Sequence, residues 1–415
     1  MAVRFPEGLR AFNHRDFRIF WLGQLISLIG TWMQTVGQSW LILELTNSPF
    51  KLGLISTLQF LPMLALALVA GAVIDRLPKR KVVIGTQSIF MLLAFVLAAL
   101  VWTGRVQYWH VAVLALLLGL VNTLDMPARQ AFIVEMVGKE DLLNAIALNS
   151  AVFNGARILG PAAAGILIGK YGVALGFFLN GLSFIAVIAA LFLIRAEGLP
   201  RPRLQGANIL HEIAEGVRFA IHTPLIFFAL SLLGSVSLFV INFGVLVPLL
   251  ARNMLNQGAQ GFGILMAAMG AGALIGAMIL AMQGRSSPGI GVFVLLGSVL
   301  CVSAFATGFV HSFTLALVLM ALTGGSQILF TSLGNTMLQV NSPDELRGRV
   351  MSFYALVFAG TTPIGSFFLG LITERWGAAA GWWSGGLFGL LSVGAIVLWF
   401  RARQGAGVGP LPTER

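Results

Sequence analysis

Residues 71–81 read GAVIDRLPKRK, and this polar stretch follows the second of twelve long apolar segments. Hydrophobic residues make up 58% of the chain and charged residues only 10%, whereas a typical soluble protein carries roughly 25% charged residues. A membrane-spanning helix needs about 20 apolar residues. The segments are too long and too continuous for the alternating strands of a membrane barrel. The sequence therefore predicts an all-α integral membrane protein with 12 transmembrane helices.

The distribution of basic residues predicts how the chain lies in the membrane. The predicted spans cover residues 17–45, 51–74, 82–103, 109–128, 142–169, 173–195, 224–250, 260–283, 289–309, 312–339, 349–372 and 379–400. With the N-terminus in the cytoplasm, 20 of the 26 Lys and Arg residues fall in inner segments, five in outer loops and one inside a span. This bias follows the positive-inside rule. We therefore attribute the net charge of +11 to membrane topology, with both termini in the cytoplasm. We expect no nucleic-acid partner.

A weak internal repeat divides the chain into two parts. GAVID at 71–75 recurs as GAMIL at 276–280, and two further short matches follow in the same order at nearly the same offset. The repeat predicts two pseudo-symmetric halves of six helices each. The predicted units are 1–195 for the N-terminal half, 196–223 for a cytoplasmic amphipathic linker helix, 224–403 for the C-terminal half and 404–415 for a short cytoplasmic tail.

The loop after the second span resembles the loop between helices two and three of major facilitator superfamily transporters. The residues that carry this resemblance are Gly71, Asp75, Arg76, Lys79 and Arg80. The resemblance implies that Asp75 latches one conformation by contacting the N-terminus of span eleven, near Gly348. An anion at a helix N-terminus gains about 0.3–1 kcal/mol. The alternative for the basic residues after Pro78 is a plain positive-inside anchor.

Two positions depart from the superfamily pattern. Pro78 stands where a glycine is usual, and Leu280 stands where the second half would carry the matching aspartate. The predicted latch is therefore one-sided.

Longer stretches resemble one bacterial branch of the superfamily, the enterobactin-exporter-like and macrolide-efflux-like proteins. They are FRIFWLGQLISLIGTWMQTVGQSWLILELTNSPFKLG at 17–53, MPARQAF at 126–132 and LLNAIALNSAVFNGARILGPAAAG at 142–165. The last contains a run similar to the Gly-Pro motif in the fifth helix of exporters, with Gly155, Gly160, Pro161 and Gly165. The resemblance implies that this motif thins and bends the helix where the halves meet. The alternative is generic close packing of small residues.

Span four carries an acid and a base on one helix face. Asp125 and Arg129 are four residues apart, which is the spacing of a local ion pair,. The resemblance implies a second possibility, a charge relay in which Asp125 joins Asp75 and either Lys79 or Arg80. Asp125 is also one of two candidates for a proton-carrying carboxylate.

Two further ionisable residues lie in spans. Arg157 falls near the centre of span five, where a charge costs roughly 2.5–3.5 kcal/mol. We expect it to face a cavity and to meet polar groups, water or an anionic part of the substrate. Glu44 lies toward the outer end of span one and is the second proton candidate, with a plain interfacial carboxylate as the alternative.

Three spans carry polar residues at helical spacing. These residues are Gln24, Ser27, Thr31, Gln34 and Gln38 in span one, Ser235 and Asn242 in span seven, and Thr323, Gln327, Thr331 and Asn335 in span ten. Polar stripes in otherwise apolar spans predict the lining of a polar cavity. The resemblance implies the same, because spans one, four, seven and ten line the substrate cavity of this fold.

The resemblance implies a secondary active transporter. We expect proton-coupled export of hydrophobic or amphipathic small molecules, such as a drug or a siderophore, across the inner membrane by rocking of the two halves. The sequence shows no Walker loop, metal-ligand spacing or nucleophile triad, so we expect no enzyme activity and no cofactor besides the proton gradient. The expected partners are the substrate, protons and membrane lipid, with a monomeric chain.

Two alternatives stay open at this point. A lysophospholipid flippase would use the same fold with a lateral opening, and headgroup-dependent lipid movement would distinguish it from drug or dye efflux. A non-transporting membrane sensor would require a signalling domain or a long tail, whereas the predicted tail is short.

Overall fold

The computed structural model describes residues 6–197, 218–282 and 289–405. Within these ranges, the side chains of residues 67–69, 71, 72, 75, 344, 345, 347, 348, 352, 359, 404 and 405 also lie outside the description. The described chain is helical and contains no strand. It holds 12 helical segments long and apolar enough to cross a membrane, which confirms the predicted all-α membrane fold.

Among the described residues, six α-helices belong to the N-terminal half and seven to the C-terminal half. The first six are α1 (Arg15–Thr46), α2 (Pro49–Asp75), α3 (Lys79–Trp102), α4 (Tyr108–Val137), α5 (Leu142–Tyr171) and α6 (Val173–Leu193). The others are α7 (Pro224–Phe239), α8 (Phe243–Leu249), α9 (Ala259–Met282), α10 (Ile290–Thr307), α11 (Phe313–Val340), α12 (Asp344–Trp376) and α13 (Ala378–Gly405). A 3-10 helix, Glu7–Asn13, precedes α1. Of the predicted linker 196–223, residues 198–217 lie outside the described residues, as does 406–415 of the predicted tail.

Two helices extend well beyond their predicted spans. α4 continues to Val137 and α12 begins at Asp344, whereas the predicted spans ended at 128 and began at 349. Hydropathy marks only the part of a helix that suits hydrocarbon, and a helix keeps its backbone hydrogen bonds in water as well. These polar turns therefore extend the bundle at the end where α1 begins and α13 ends, which we call the terminal end.

The seventh span is broken, although a continuous helix was predicted. α7 ends at Phe239, α8 begins at Phe243, and a π-helical turn, Leu250–Met254, follows α8. The Asn242 amide donates to the carbonyls of Leu238 at 2.8 Å and Ser237 at 3.3 Å. Non-helical backbone at membrane depth is tolerated only where its polar groups are satisfied, and Asn242 satisfies carbonyls that the break leaves free.

Small residues set the helix spacing inside each half. A Cβ added to Gly272 of α9 would lie 1.8 Å from the Ala321 carbonyl oxygen of α11. A Cβ added to Gly324 of α11 would lie 1.9 Å from the Met269 carbonyl oxygen of α9. These backbones touch directly, which is the packing expected of membrane helices with glycine at their interfaces.

Large apolar side chains cover the outside of the bundle. Leu295, Val318 and Leu398 expose 60%, 60% and 69% of their surface. Such exposure is costly in water but suits contact with lipid tails, so the outer surface of the bundle is one that a bilayer covers.

Besides smaller contacts of α1 with α8 and α9 and of α2 with α8, the two halves contact each other through two helix pairs, α2 with α12 and α5 with α9. We call this contact surface the seam. The contacts involve the first part of α2 and α9 and the last part of α5 and α12, so the seam lies at the end of the bundle remote from the termini. At the terminal end α5 and α9 present exposed side chains, Leu143 at 82% and Met282 at 84%.

Candidate functional site

Backbone contact without intervening side chains closes the seam between α5 and α9. A Cβ added to Gly263 of α9 would lie 2.6 Å from the Gly165 Cα and 2.6 Å from the Pro161 carbonyl oxygen. Real Cβ atoms essentially never approach within 3.0 Å of such atoms. The seam therefore depends on glycine at 263, and it fits only when the two halves are in this relative orientation.

Hydroxyl groups join α2 to α12 across the seam. The Thr57 hydroxyl donates to the Pro363 carbonyl at 2.9 Å, and the Ser56 and Ser366 hydroxyl oxygens lie 3.0 Å apart. The Ser366 hydroxyl also lies 3.0 Å from Asn242 Oδ1 and donates to it. The chain of hydrogen bonds therefore runs from α2 through α12 to the break in the seventh span.

A carboxylate of the C-terminal half caps a helix of the N-terminal half. Glu374 Oε2 accepts from the Ser48 hydroxyl at 2.8 Å and from the Phe50 backbone N–H at 3.1 Å. Ser48 is the N-cap residue of α2. The first N–H groups of a helix lack partners within the helix and attract anions, so Glu374 stabilises the closed seam at its outermost point.

Removing the Glu374 charge is expected to loosen the seam. In Glu374→Gln, α2 loses an anion worth about 0.3–1 kcal/mol at an exposed helix end, so we expect opening to rise about two- to five-fold. The measurement is maleimide labelling of Thr57→Cys, which lies in the seam, in a Cys301→Ser background. Glu140→Gln is the control, because Glu140 is an exposed carboxylate at the terminal end, away from the seam. Equal labelling rates in both variants would contradict a role for Glu374 in the seam.

The Gly-Pro run of α5 reaches the seam only in its last part. Gly165 packs on α9, and the Pro161 carbonyl faces Gly263. Gly160 instead lies against Trp32 of α1, in the same half, and Gly155 borders open space. The expectation that the whole run lies where the halves meet is therefore not met by Gly155 and Gly160. These residues occupy other faces because the run covers nearly three helical turns.

Asp125 is the centre of a buried polar network within the N-terminal half. Its Oδ1 accepts from the Thr86 hydroxyl at 2.6 Å and from the Gln87 amide at 2.9 Å. Its Oδ2 pairs with Arg129 Nη2. Arg129 Nη1 then donates to Gln24 Oε1 at 2.5 Å. The network therefore ties α3, α4 and α1 together and compensates both charges with polar partners.

Of the predicted relay partners of Asp125, Arg80 binds the end of another helix, and Asp75 lies outside the described side chains. Arg80 donates to the carbonyls of Leu191 at 2.8 Å and Phe192 at 3.1 Å, and so caps the C-terminus of α6. Lys79 is buried and Arg76 is exposed at the turn between α2 and α3. The side chain of Asp75 and the surroundings of Gly71 and of the predicted target Gly348 lie outside the description. The latch therefore stays a prediction.

Arg157 connects the two halves inside the bundle. Its Nη2 donates to Gln327 Oε1 of α11 at 2.7 Å, and both side chains are buried. Its Cζ lies 5.9 Å from the centroid of the Trp32 ring of α1, which is within the range of a cation–π contact. Arg157 Nε is buried and has no hydrogen-bond partner. The guanidinium is therefore only partly satisfied by the protein.

The polar residues of span one have different neighbours. Gln34 accepts from the Asn180 amide of α6 at 2.7 Å, and Gln38 lies at 3.5 Å from Gln59 of α2. Gln24 binds Arg129, as described above, and Ser27 is buried. Thr31 is the exposed member of the set. The one stripe therefore supplies both packing contacts inside its half and exposed polar surface.

The polar residues of span ten lie on successively different faces of their helix. Steps of four residues advance about 40° each on a helix with 3.6 residues per turn. Thr323 consequently faces α10, where its hydroxyl donates to Ser303 at 3.0 Å, whereas Gln327 faces Arg157. Thr331 is half-buried, and Asn335 accepts from Gln339 at 2.5 Å. Thr323 is fully buried inside its half and does not line a cavity, and for the other residues of this set the cavity lining stays a prediction.

The remaining predicted residues make local contacts. Ser235 donates to the Leu232 carbonyl of its own helix at 3.1 Å, and Asn242 is at the break described above. Glu44 is exposed and accepts from the Trp40 indole N–H at 2.6 Å. The Trp40 ring stacks on Phe262 of α9 at a centroid distance of 6.3 Å. Glu44 is thus one contact removed from the other half.

Several residues that the structure brings together were not predicted from the sequence. They are Ser48, Ser56, Thr86, Gln87, Ser366 and Glu374. Thr86 and Gln87 are polar residues in an apolar span, and this pattern could have predicted a buried polar contact. Glu374 carries no comparable signal, because an acid at the end of a span also suits an interfacial position.

The chain matches a known family over most of its length. A family model described as transmembrane secretion effector, of major facilitator type, matches residues 7–411. The chain belongs to this family. It is 29% identical to the enterobactin exporter EntS of Escherichia coli over 392 residues, which cover 93% of this chain and 92% of that protein. The EntS protein of Escherichia fergusonii matches with the same values.

Solved structures agree with this fold. The nucleoside transporter NupG has a TM-score of 0.73 at 12% identity, covering 95% of this chain and 100% of that one. An inward-facing bacterial homologue of the iron transporter ferroportin has a TM-score of 0.69 at 18% identity, covering 93% and 98%. The chain is therefore a multi-pass membrane transporter of major facilitator type and not an enzyme, as the sequence predicted.

Proposed function

We propose that this transporter exports amphipathic small molecules from the cytoplasm and that the proton gradient drives the export. The observation that carries the proposal is the arrangement of the two halves. They touch along a seam at one end, carry exposed side chains of α5 and α9 at the other, and hold a buried arginine of one half against a glutamine of the other. Such an arrangement suits alternating access around a central site. The similarity to a named exporter supports the outward direction.

The orientation of the chain gives the proposal its direction. Basic residues concentrate at the terminal end, which the positive-inside rule places in the cytoplasm,. On this orientation the closed seam faces the outside, which corresponds to the state of the proposed cycle that admits a molecule from the cytoplasm. A molecule would enter from the cytoplasm, bind near Arg157 and leave when the seam opens.

Proton coupling needs a carboxylate whose charge affects the balance between conformations. Asp75 is the proposed latch of the opposite state, which would close the terminal end while the seam is open. Glu44 and Asp125 are the proposed proton carriers, Glu44 because it is exposed near the seam and Asp125 because it is buried in the N-terminal half. A proton drives the cycle only if its affinity differs between the two states.

The test is compound accumulation in a bacterial host that lacks its own efflux pumps. We expect the wild type to lower the accumulation of some members of a panel of cationic, neutral and anionic fluorescent compounds, and a protonophore to abolish the effect. Asp75→Asn is expected to reduce export several-fold, because the outward-open state loses its latch. Accumulation is measured at matched expression.

Glu140→Gln is the matched control for Asp75→Asn, because Glu140 is an exposed carboxylate at the same end of the bundle. Efflux that persists with a protonophore would contradict proton coupling. A well-expressed wild type that exports no compound of the panel would contradict small-molecule efflux, and headgroup-dependent lipid movement would then be measured.

A further inference from the structure

We infer that Arg157 recognises an organic anion, and that the exported molecule carries a carboxylate or a similar planar anionic group beside an aromatic ring. The inference rests on the proposed export function, since it gives the chemical class of the molecule that the central site accepts. Its basis is one incompletely paired guanidinium inside the helix bundle.

The charge of Arg157 has no anionic partner among the described residues. The residue exposes only 9% of its surface, and its one hydrogen-bond acceptor, Gln327, is a neutral amide. Asp16, Asp125 and Asp141 pair with other basic residues, namely Arg15, Arg129, and both Arg10 and His14. Buried charges in proteins are normally paired, so the described site lacks one negative charge.

The free N–H lies on the edge of the guanidinium that binds carboxylates. Nε and Nη2 of an arginine direct their N–H groups to the same side, where one carboxylate can accept from both. In Arg157, Nε has no partner, and Nη2 donates to the amide of Gln327. An anion at this edge would accept from Nε and would compete with the Gln327 amide for Nη2. The buried Nε–H would then have an acceptor.

Aromatic side chains lie near the Arg157 guanidinium. The Trp32 ring faces Arg157, and Phe153 meets that ring edge-on with 5.6 Å between centroids. Phe153 is exposed, and the nearby Gly155 borders open space. A planar ring bound beside the anion can therefore pack on these aromatic faces, which favour offset and edge-to-face contacts.

Anion binding would also change the contact between the two halves. Arg157 belongs to α5 and Gln327 to α11, so their hydrogen bond joins the N-terminal half to the C-terminal half. A ligand that replaces Gln327 removes this bond in the bound state alone. Binding would thereby bias the equilibrium between conformations, which a ligand can do only through such a difference in affinity.

The test compares an aromatic acid with its neutral amide. Dansylglycine and dansylglycinamide are titrated at pH 7 into the full-length protein in lipid nanodiscs, with the dansyl fluorescence as readout. We expect the acid to bind at least tenfold more tightly. Arg157→Gln is expected to abolish this preference by weakening only the acid. Gln327→Ala is expected to strengthen acid binding, because the competing acceptor is gone, whereas a purely structural bridge would make it weaker.

Arg105→Gln is the control, since Arg105 is an exposed cation outside the site, and it is expected to keep the preference. Equal binding of acid and amide by the wild type would overturn the inference. Binding of neither compound by a wild type that exports members of the fluorescent panel would also overturn the inference. Both results would leave the proposed export function standing. A clear preference for the acid in a protein that exports nothing would instead overturn the proposed function.

Discussion

Gly263→Val is expected to abolish transport while leaving the protein folded. A Cβ at 263 already meets the Gly165 Cα and the Pro161 carbonyl oxygen at 2.6 Å, and valine adds two methyl groups. Overpacking of this kind costs about 1–3 kcal/mol, which shifts an equilibrium by about 5- to 150-fold. Only the closed seam bears this cost, so the variant would stay open at the seam. The measurement is compound accumulation together with labelling of Thr57→Cys, and we expect at least a tenfold loss of export with fast labelling.

Two other glycines serve as controls for Gly263→Val. Gly272→Val changes the same helix on the face that touches α11 of the same half, where the added Cβ would lie 1.8 Å from a carbonyl oxygen. This variant is expected to lose folded protein, since the clash occurs in every conformation. Gly291→Val, in open space at the start of α10, is expected to resemble the wild type. Normal export by Gly263→Val would show that closure of the seam is not required.

Asp125→Ala is expected to destabilise the N-terminal half strongly. The substitution leaves Arg129 without its counter-charge and removes the acceptor of the Thr86 and Gln87 side chains. Breaking a buried ion pair from one side costs about 3–5 kcal/mol. We expect a much lower yield of monodisperse protein and a clearly lower melting temperature in detergent, measured by size-exclusion chromatography and thermal unfolding.

The double variant Asp125→Ala with Arg129→Ala separates charge from packing. Removing both partners leaves no uncompensated charge, and such paired replacements are often close to neutral, so part of the lost stability is expected to return. Asp125→Asn keeps the shape and one acceptor oxygen and is expected to lie between the wild type and Asp125→Ala. A double variant less stable than Asp125→Ala would contradict a dominant role of the charge.

The sequence predicted the membrane fold because hydropathy acts locally. Twelve apolar segments must become helices in a bilayer, since no other element satisfies its own backbone hydrogen bonds there. The same reasoning could not predict the break between Phe239 and Phe243, because no glycine or proline lies between these two residues. That break depends on Asn242. Its side-chain amide donates to the carbonyls of Leu238 and Ser237 and accepts a hydrogen bond from the Ser366 hydroxyl.

Spacing along one helix predicted some local pairs but not the neighbours of each face. Asp125 and Arg129 pair because residues four apart share a face in any helix,. Gln24 and Gln38 share a face as well, yet Gln24 binds Arg129 of α4 and Gln38 approaches Gln59 of α2. The partners differ because neighbouring helices cross α1 at different heights.

The sequence by itself determined the class of the protein, its twelve spans and its two halves, since apolar length, charge bias and internal repetition are properties of short stretches of chain. Only the tertiary structure decided which residues of the two halves meet. It placed Glu374 on the first turn of α2, Gly263 against Gly165, and Arg157 against Gln327. These residues are more than 90 positions apart in sequence. Their contacts depend on how rigid helices rotate and cross, which local spacing does not specify.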